Sequence, residues 1–357
     1  MKKKKVVVAM SGGVDSTVAA LLLKKQGFEV IGAHFLNRKE KETTADNGCC
    51  INFALSDAKK SAEKLNIPFH VFDLSDDFKS DVIDYFINEY IAGCTPNPCV
   101  VCNRHIKFGM FLEKALSMGI DYMATGHYAK IEYLQDIKRY VLKRSKSIKK
   151  DQTYVLYSLS QEQLSKTLMP LGDYNKDEIR KIAEEIGFDF FDKGESMEIC
   201  FIPDNNYAGY IKENSDIDIK QGDFVDTKGN YLGKHKGIIN YTVGQRKGLG
   251  ITFGKPVYVL DMNKDRNEIV LGEEDELYKD VLYCNNTNFI SIEKLESEKR
   301  VTAKIRYNAR EADATIYPET EDVVKVVFDK SQRAITPGQS VVFYDKDVVV
   351  GGGVITI

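Results

Sequence analysis

Residues 5 to 25, "KVVVAMSGGVDSTVAALLLKK", restrict the fold more tightly than any other stretch of the chain. A β-branched apolar run is followed at once by two glycines. An apolar pattern of helical spacing comes next and stops at Gly27. That order predicts strand, glycine turn, helix. The alternation continues downstream. Strands are predicted at "FEVIGAHFLN" (28–37), "IPFHVFDLS" (67–75) and "YMATGHYAKIEYL" (122–134). Helices are predicted at 53–66, 76–93 and 106–119. Strands separated by helices of this length predict an α/β domain of Rossmann-like kind, a parallel sheet covered on both faces.

The texture changes near residue 215. From there on come short alternating runs punctuated by glycine, such as "GIINYTVG", "VTAKIRYNA" and "SVVFYDKDVVVGGGVITI". This is all-β material. It predicts three units: an α/β domain over 1–212, a small central β domain over 213–277, and a C-terminal β-barrel over 278–357.

The glycine turn is more specific than its fold alone requires. In "AMSGGVDS" (Ala9, Met10, Ser11, Gly12, Gly13, Val14, Asp15, Ser16) the glycines let backbone N–H groups approach an anion, and the next helix presents its positive end. Ser11 and Ser16 add hydroxyls, and Asp15 could hold Mg²⁺ against a pyrophosphate. A plain strand–helix turn with a serine cap would need only one glycine. The loop lacks the lysine of a Walker A motif and the spacing of a dinucleotide fingerprint. It resembles the pyrophosphatase-loop ATPases, which cleave ATP between the α and β phosphates and adenylate a carbonyl oxygen. That resemblance implies that Leu36, ending the second strand, and Gly126 in "ATGHYA" line the nucleotide pocket.

The chain has seven cysteines, an odd number spread over 357 residues, which argues against a disulfide framework. The start is too short in apolar residues for a signal peptide, and no run approaches the roughly 20 apolar residues of a membrane helix. The expected location is the cytosol, with thiols reduced and no membrane partner. Cys99 and Cys102 have Cys-x-x-Cys spacing, yet no second such pair exists to complete a zinc ribbon. Cys102 sits beside Arg104 and His105 in a predicted loop stiffened by Pro96 and Pro98, and Cys200 lies in a segment of mixed polarity. Both fit accessible, reactive thiols. Cys94 and Cys284 read as inert core residues. Cys49 and Cys50 follow "TADNG", a predicted mobile loop, and their role stays open.

A formal charge of −3 gives no global sign of a polyanion binder, so any nucleic acid must meet a local basic surface. The run "KRYVLKRSKSIKK" (138–150) has seven basic residues and no acidic one. It is either a solvated hairpin or a phosphate-contacting strip, and its place just before "DQTYVL" favours the strip.

Taken in order, "AMSGGVDS", "TPNPCVVCNRHIKFG", "ATGHYA", "KDQTYVLYSLSQEQL", "SMEICFI", "HKGIINYTVGQRKGLGI", "KIRYNA" and "AITPGQSVVFYD" resemble the bacterial tRNA-specific 2-thiouridylase family over nearly the whole chain. The resemblance implies ATP-dependent 2-thiolation of a wobble uridine in lysine, glutamate and glutamine tRNAs, with sulfur from a carrier or a cysteine desulfurase. Cys102 then matches the nucleophile and Cys200 the cysteine that receives persulfide sulfur, with a Cys102–Cys200 disulfide left after turnover. Asn97, Pro98 and Cys99 match positions that meet the target base. His127, Lys150, Asp151, Gln152, Arg306, Tyr307 and Gln339 match tRNA-contacting positions.

One departure stands out. Many members of the family carry Asp where this chain has Cys99, and a thiol titrating near 8.5 is a poor substitute for a carboxylate base. Cys99, Cys102 and Cys200 instead form a set that could serve a persulfide relay, hold a 4Fe–4S cluster as in related tRNA thiolases, or bind zinc. Two other readings remain open on the residues. One is a pyrophosphatase-loop ligase forming C–N bonds, and the other a non-catalytic RNA-binding protein with a structural metal.

Overall fold

The structure, a computed structural model, describes residues 3–39, 48–188, 199–251 and 254–356, with backbone alone for 48–52. The loop predicted ahead of Cys49 falls largely outside the described residues, as do the side chains of Cys49 and Cys50.

The first sheet contains β1 (Lys5–Ala9), β2 (Glu29–Leu36), β3 (Phe69–Asp73) and β4 (Tyr122–Ala124). A hairpin of β5 (Ala129–Leu134) and β6 (Arg139–Arg144) then leaves it, and β7 (Thr167–Leu168) returns to its edge. The order is β3-β2-β1-β4-β7, parallel throughout. Alternation along β1 explains why both faces are covered: Val6 and Val8 face one core, Val7 the other, and all three are fully buried. The strand order reverses between β1 and β4, and a doubly wound sheet offers its ligand crevice at the carboxyl ends of the strands flanking such a reversal.

The predicted strand over 122–134 is two strands in two different sheets, divided at residues 125–128. The predicted helix over 76–93 runs from Ser75 to Ile91 with a π-helical turn at Lys79–Ile83. The helix predicted over 106–119 begins earlier, at Pro98, and continues as a π-helix over Cys102–Phe111 before ending at Ser117. The predicted cysteine loop is therefore the first turn of a helix. Asn97 caps it, its Oδ1 accepting from the Val100 N–H (3.4 Å), and Pro98 occupies the first position, where a missing N–H costs nothing.

A second sheet follows, formed by β8 (Gly222–Val225), β9 (Tyr231–His235), β10 (Tyr258–Asn263) and β11 (Glu268–Gly272) in the order β10-β11-β8-β9. The last region holds β12 (Tyr278–Phe289), β13 (Lys299–Lys304), β14 (Ala312–Pro318), β15 (Val324–Arg333), β16 (Ser340–Asp345) and β17 (Val348–Thr356). They run β12-β15-β14-β13-β16-β17, and β12 pairs with β17 to close a six-stranded antiparallel barrel. The β5–β6 hairpin, from far upstream, docks on β17 through Val348 and Lys143. One core runs across that junction, from Val7 and Phe86 through Tyr154 and Tyr157 to Val342 and Tyr344.

Candidate active site

The loop after β1 is built as the sequence requires. Gly12 has φ +79, and a Cβ there would stand 2.5 Å from the Ala54 carbonyl oxygen. The Ser11 N–H donates to Ser16 Oγ (3.2 Å), and Ser16 Oγ donates to the Gly13 carbonyl (3.1 Å). His34 Nδ1, at the end of β2, donates to the Met10 carbonyl (2.8 Å). Leu36 is half-buried at the end of the same strand.

Gly126 follows β4 and lies against the start of the helix Val14–Lys25. A Cβ at Gly126 would come within 2.8 Å of the Asp15 carbonyl carbon and of the Ser16 nitrogen. Glycine is obligatory there because backbone meets backbone. The structure thus brings Ala9–Ser16 and Gly126 to the reversal point of the sheet, with Leu36 at the carboxyl end of the neighbouring strand β2. Asp15 is not free in this state. Lys176 Nζ donates to both carboxylate oxygens (2.8 and 2.7 Å), and Tyr128 Oη donates to Oδ1 (2.7 Å). Neither partner was singled out by sequence, because each lies far from the motif it serves.

Three thiols come from two further segments of the first domain. Cys99 and Cys102 are one helical turn apart, and Cys200 enters from a distant segment with Asn37 Nδ2 4.0 Å from its sulfur. Cys99 and Cys200 are exposed, whereas Cys102 is buried at 7%. Burial pushes the Cys102 thiol up to about 12, with Lys107 opposing the rise and Cys200 and Cys99 adding to it. Cys99 and Cys200 reach solvent, and desolvation by the surrounding protein still raises both thiols. Lys107 opposes that rise at each, and Arg38 does so at Cys200.

The sequence predicts an accessible, partly ionised Cys102. Here it is buried and neutral, because its helical turn packs into the core of the first domain. Cys94, Cys99, Cys102, Cys200 and Cys284 are free thiols, and the 102–200 disulfide is not formed in this state. Cys284 lies in the barrel core with a thiol also raised to about 12, as befits an inert residue. Among the described residues no three Cys, His, Asp or Glu side chains converge to hold a metal ion. The Cys99–Cys102–Cys200 set does not fit a cluster or zinc as it stands.

His127 links the two halves, being next to Gly126 and within the field of Lys107. Burial first, and Lys107 second, push its imidazole well below the ordinary value, so it is neutral. Thr125 Oγ1 lies 2.8 Å from its Nδ1.

The expected RNA-contacting residues divide. Asp151 accepts from the Ser145 N–H (3.0 Å), and burial raises its carboxyl. Gln152 Oε1 accepts from the Tyr128 N–H (2.9 Å). Gln339 Nε2 donates to the Thr95 carbonyl (2.8 Å). Arg306 Nη1 donates to the Arg333 carbonyl (3.2 Å), and Tyr307 is 38% exposed beside Tyr154. In the basic run, Arg144 pairs with Glu311 (2.7 Å) and lies over the Tyr344 ring. Lys143 pairs with Glu132 and Asp347, Lys146 pairs with Glu178, and Arg139 donates to the Ile290 carbonyl (2.9 Å). Much of the predicted phosphate strip therefore fastens the hairpin to its surroundings. No helix among the described residues is long and apolar enough to cross a membrane.

A parallel sheet with a phosphate-type loop at its reversal point, a cysteine pair in the same domain and a closed barrel locked onto it define a nucleotide-loop enzyme with attached β domains. Family models agree. "tRNA methyl transferase HUP domain" matches residues 4–204, "tRNA methyl transferase PRC-barrel domain" 210–273, and "Aminomethyltransferase beta-barrel domain" 279–355. The chain is 57% identical over 353 residues to a "tRNA-specific 2-thiouridylase MnmA" of Clostridioides difficile, covering 99% of this chain and 98% of that one. It is 56% identical to the protein of that name from Acetivibrio thermocellus, covering 99% and 100%. The chain belongs to the tRNA-specific 2-thiouridylase family.

Proposed function

We propose that this chain thiolates the 2-position of uridine in tRNA, using ATP to activate the base. The observation that supports it is that Lys107 acts on the thiols of both Cys102 and Cys200, in a domain whose glycine loop is packed against Gly126. Uracil O2 is a poor leaving group. Attack of O2 on the α-phosphorus of ATP releases pyrophosphate and leaves the oxygen bound to AMP. The backbone N–H groups of residues 12–16 are proposed to receive the phosphates. Asp15 is the carboxylate suited to Mg²⁺ carried on those phosphates, once its present partners yield, and no step is routed through the metal.

Sulfur arrives on Cys200, whose exposed side chain is reachable by a donor protein. The terminal sulfur of a Cys200 persulfide attacks C2 and AMP leaves. Cys102 then attacks Cys200 Sγ, which breaks the S–S bond, leaves the sulfur on the base and forms a Cys102–Cys200 disulfide. A thiol reductant restores both cysteines. Asn97, Pro98 and Cys99 are proposed to meet the target base, which must leave the anticodon stack to reach them. The substrates are proposed to be the lysine, glutamate and glutamine tRNAs. His127, Lys150, Arg306 and Tyr307 are proposed to contact them, with Asp151, Gln152 and Gln339 positioning that surface.

The test measures tRNA-dependent pyrophosphate release and transfer of labelled persulfide sulfur into tRNA. Pyrophosphate release with amine incorporation and no sulfur would instead support a C–N ligase. RNA binding without pyrophosphate release would support a non-catalytic protein.

A further inference from the structure

Asp15 is the one acidic residue of the nucleotide loop, and in this structure a cation already neutralises it. Lys176 is the first residue of the helix Lys176–Glu185 and grips both Asp15 oxygens. The pair is sheltered, with the Lys176 side chain 17% exposed and Asp15 32%. Tyr128, 3% exposed, closes the cluster with its hydroxyl on Oδ1 and its ring 5.8 Å from the ammonium. The helix is fixed at its start by a reciprocal cap. Asn175 Oδ1 accepts from the Glu178 N–H (2.9 Å), and Glu178 Oε2 accepts from the Asn175 N–H (2.7 Å). Lys176 is thus held in place from a segment well removed from the loop in sequence.

With Lys176 on both oxygens and Tyr128 on Oδ1, a divalent ion and the ammonium compete for the same lone pairs of Asp15. A metal ion reaching Asp15 must displace the ammonium, which would then lie half-buried beside a phosphate chain with excess negative charge. We propose that Lys176 is a residue of the nucleotide site: when ATP and Mg²⁺ enter, its ammonium passes from Asp15 to the phosphates, and it returns to Asp15 when pyrophosphate leaves. The exchange keeps the carboxylate compensated in both states, because a charge of either sign left alone in a sheltered site is costly. It makes metal binding depend on nucleotide, since without phosphates the metal has to compete with Lys176 for Asp15. The inference rests on the ATP-dependent reading above.

The test uses the full-length chain with a non-cleavable α,β-methylene ATP and with Mn²⁺ as the metal probe. Wild-type protein is expected to bind the analogue with Mg²⁺ and to bind Mn²⁺ alone weakly. If wild-type protein does not bind the analogue, the ATP reading itself falls. Lys176→Gln is expected to weaken analogue binding at least tenfold and to strengthen binding of Mn²⁺ alone, seen as loss of the free-ion electron paramagnetic resonance signal. Analogue affinity within twofold of wild type, or unchanged Mn²⁺ binding, would overturn the proposal and leave the pair a structural strut. Should the glutamine variant fail to fold, Lys176→Arg carries the test. Analogue affinity within threefold of wild type, with equally weak Mn²⁺ binding, supports the exchange, and lost analogue binding despite the retained charge overturns it.

Discussion

Gln339, in the turn before β16, donates its side-chain amide to the Thr95 carbonyl at 2.8 Å and to the Pro96 carbonyl at 3.3 Å. Thr95 N–H in turn donates to the Pro337 carbonyl (2.8 Å), and Gly338 lies so close that a Cβ would stand 2.9 Å from Cys94 Cβ. The barrel therefore holds the segment that leads into Cys99 and Cys102. Gln339→Ala removes two hydrogen bonds, at a cost of about 1–2 kcal/mol. Thiolation is expected to fall several-fold while the Kd for tRNA changes less than twofold. A large loss of tRNA affinity with normal turnover would return Gln339 to a purely RNA-contacting role.

Reactivity of the thiols should rise late with pH. A raised thiol pKa means the folded protein favours the neutral form, so thiolate appears only as pH climbs, and the stability linked to it is lost in the same direction. Iodoacetamide near pH 8 is expected to modify Cys99 and Cys200 ahead of Cys102, whose thiol is pushed up to about 12. Mass spectrometry of the alkylated peptides measures the order. Labelling of Cys102 first would contradict its burial.

Lys107 opposes the rise at all three thiols. It stands five residues after Cys102 in a π-helix, whose wider turn brings positions five apart to nearly one face. Lys107→Gln is expected to move the alkylation profiles of Cys99 and Cys200 to higher pH, and Lys107→Arg to restore them. Identical profiles for wild type and the glutamine variant would remove Lys107 from the site.

Cys99→Asp distinguishes a relay from a cluster. The thiols do not form a metal-holding set, so the variant is expected to keep at least half of the thiolation activity in iron-free protein. Loss of activity together with loss of bound iron would restore the cluster reading.

The hairpin needs a different test from the one its charge suggests. Lys143→Ala with Arg144→Ala removes the contacts to Glu132, Asp347 and Glu311 and is expected to lower Tm. Lys138→Ala with Lys149→Ala leaves those pairs intact. It is expected to flatten the salt dependence of tRNA binding by about 1 per lost phosphate contact. An unchanged slope would assign both lysines to ordinary solvent exposure.

The parallel sheet, the glycine loop, the texture change near 215 and the cysteines were legible because each writes a local pattern: alternation, period, glycine placement, spacing. The helix start at Pro98 was also written, in the Asn97–Pro98 pair, but the cysteine spacing suggested a loop instead. The break in the strand at residues 125–128 was marked by Gly126, a residue type that interrupts strands. What stayed hidden depends on partners distant in sequence. The Lys176 and Tyr128 hold on Asp15, the Gln339 brace on Thr95 and the burial of Cys102 follow from packing between elements, and no window of sequence contains both members of such a contact.

The β5–β6 hairpin has a consequence for how such a protein can be divided. Its strand β6 completes its backbone pairing on β17, and Arg144 N–H donates to the Asp347 carbonyl (2.8 Å). A fragment ending after the first sheet would leave that strand an open edge, a template for joining other chains. Barrels from other proteins could not simply be grafted on, because each would have to match a hairpin encoded near the front of the chain. The first domain and the barrel are thus tied by a shared seam and exchange less freely than modules joined only by a linker.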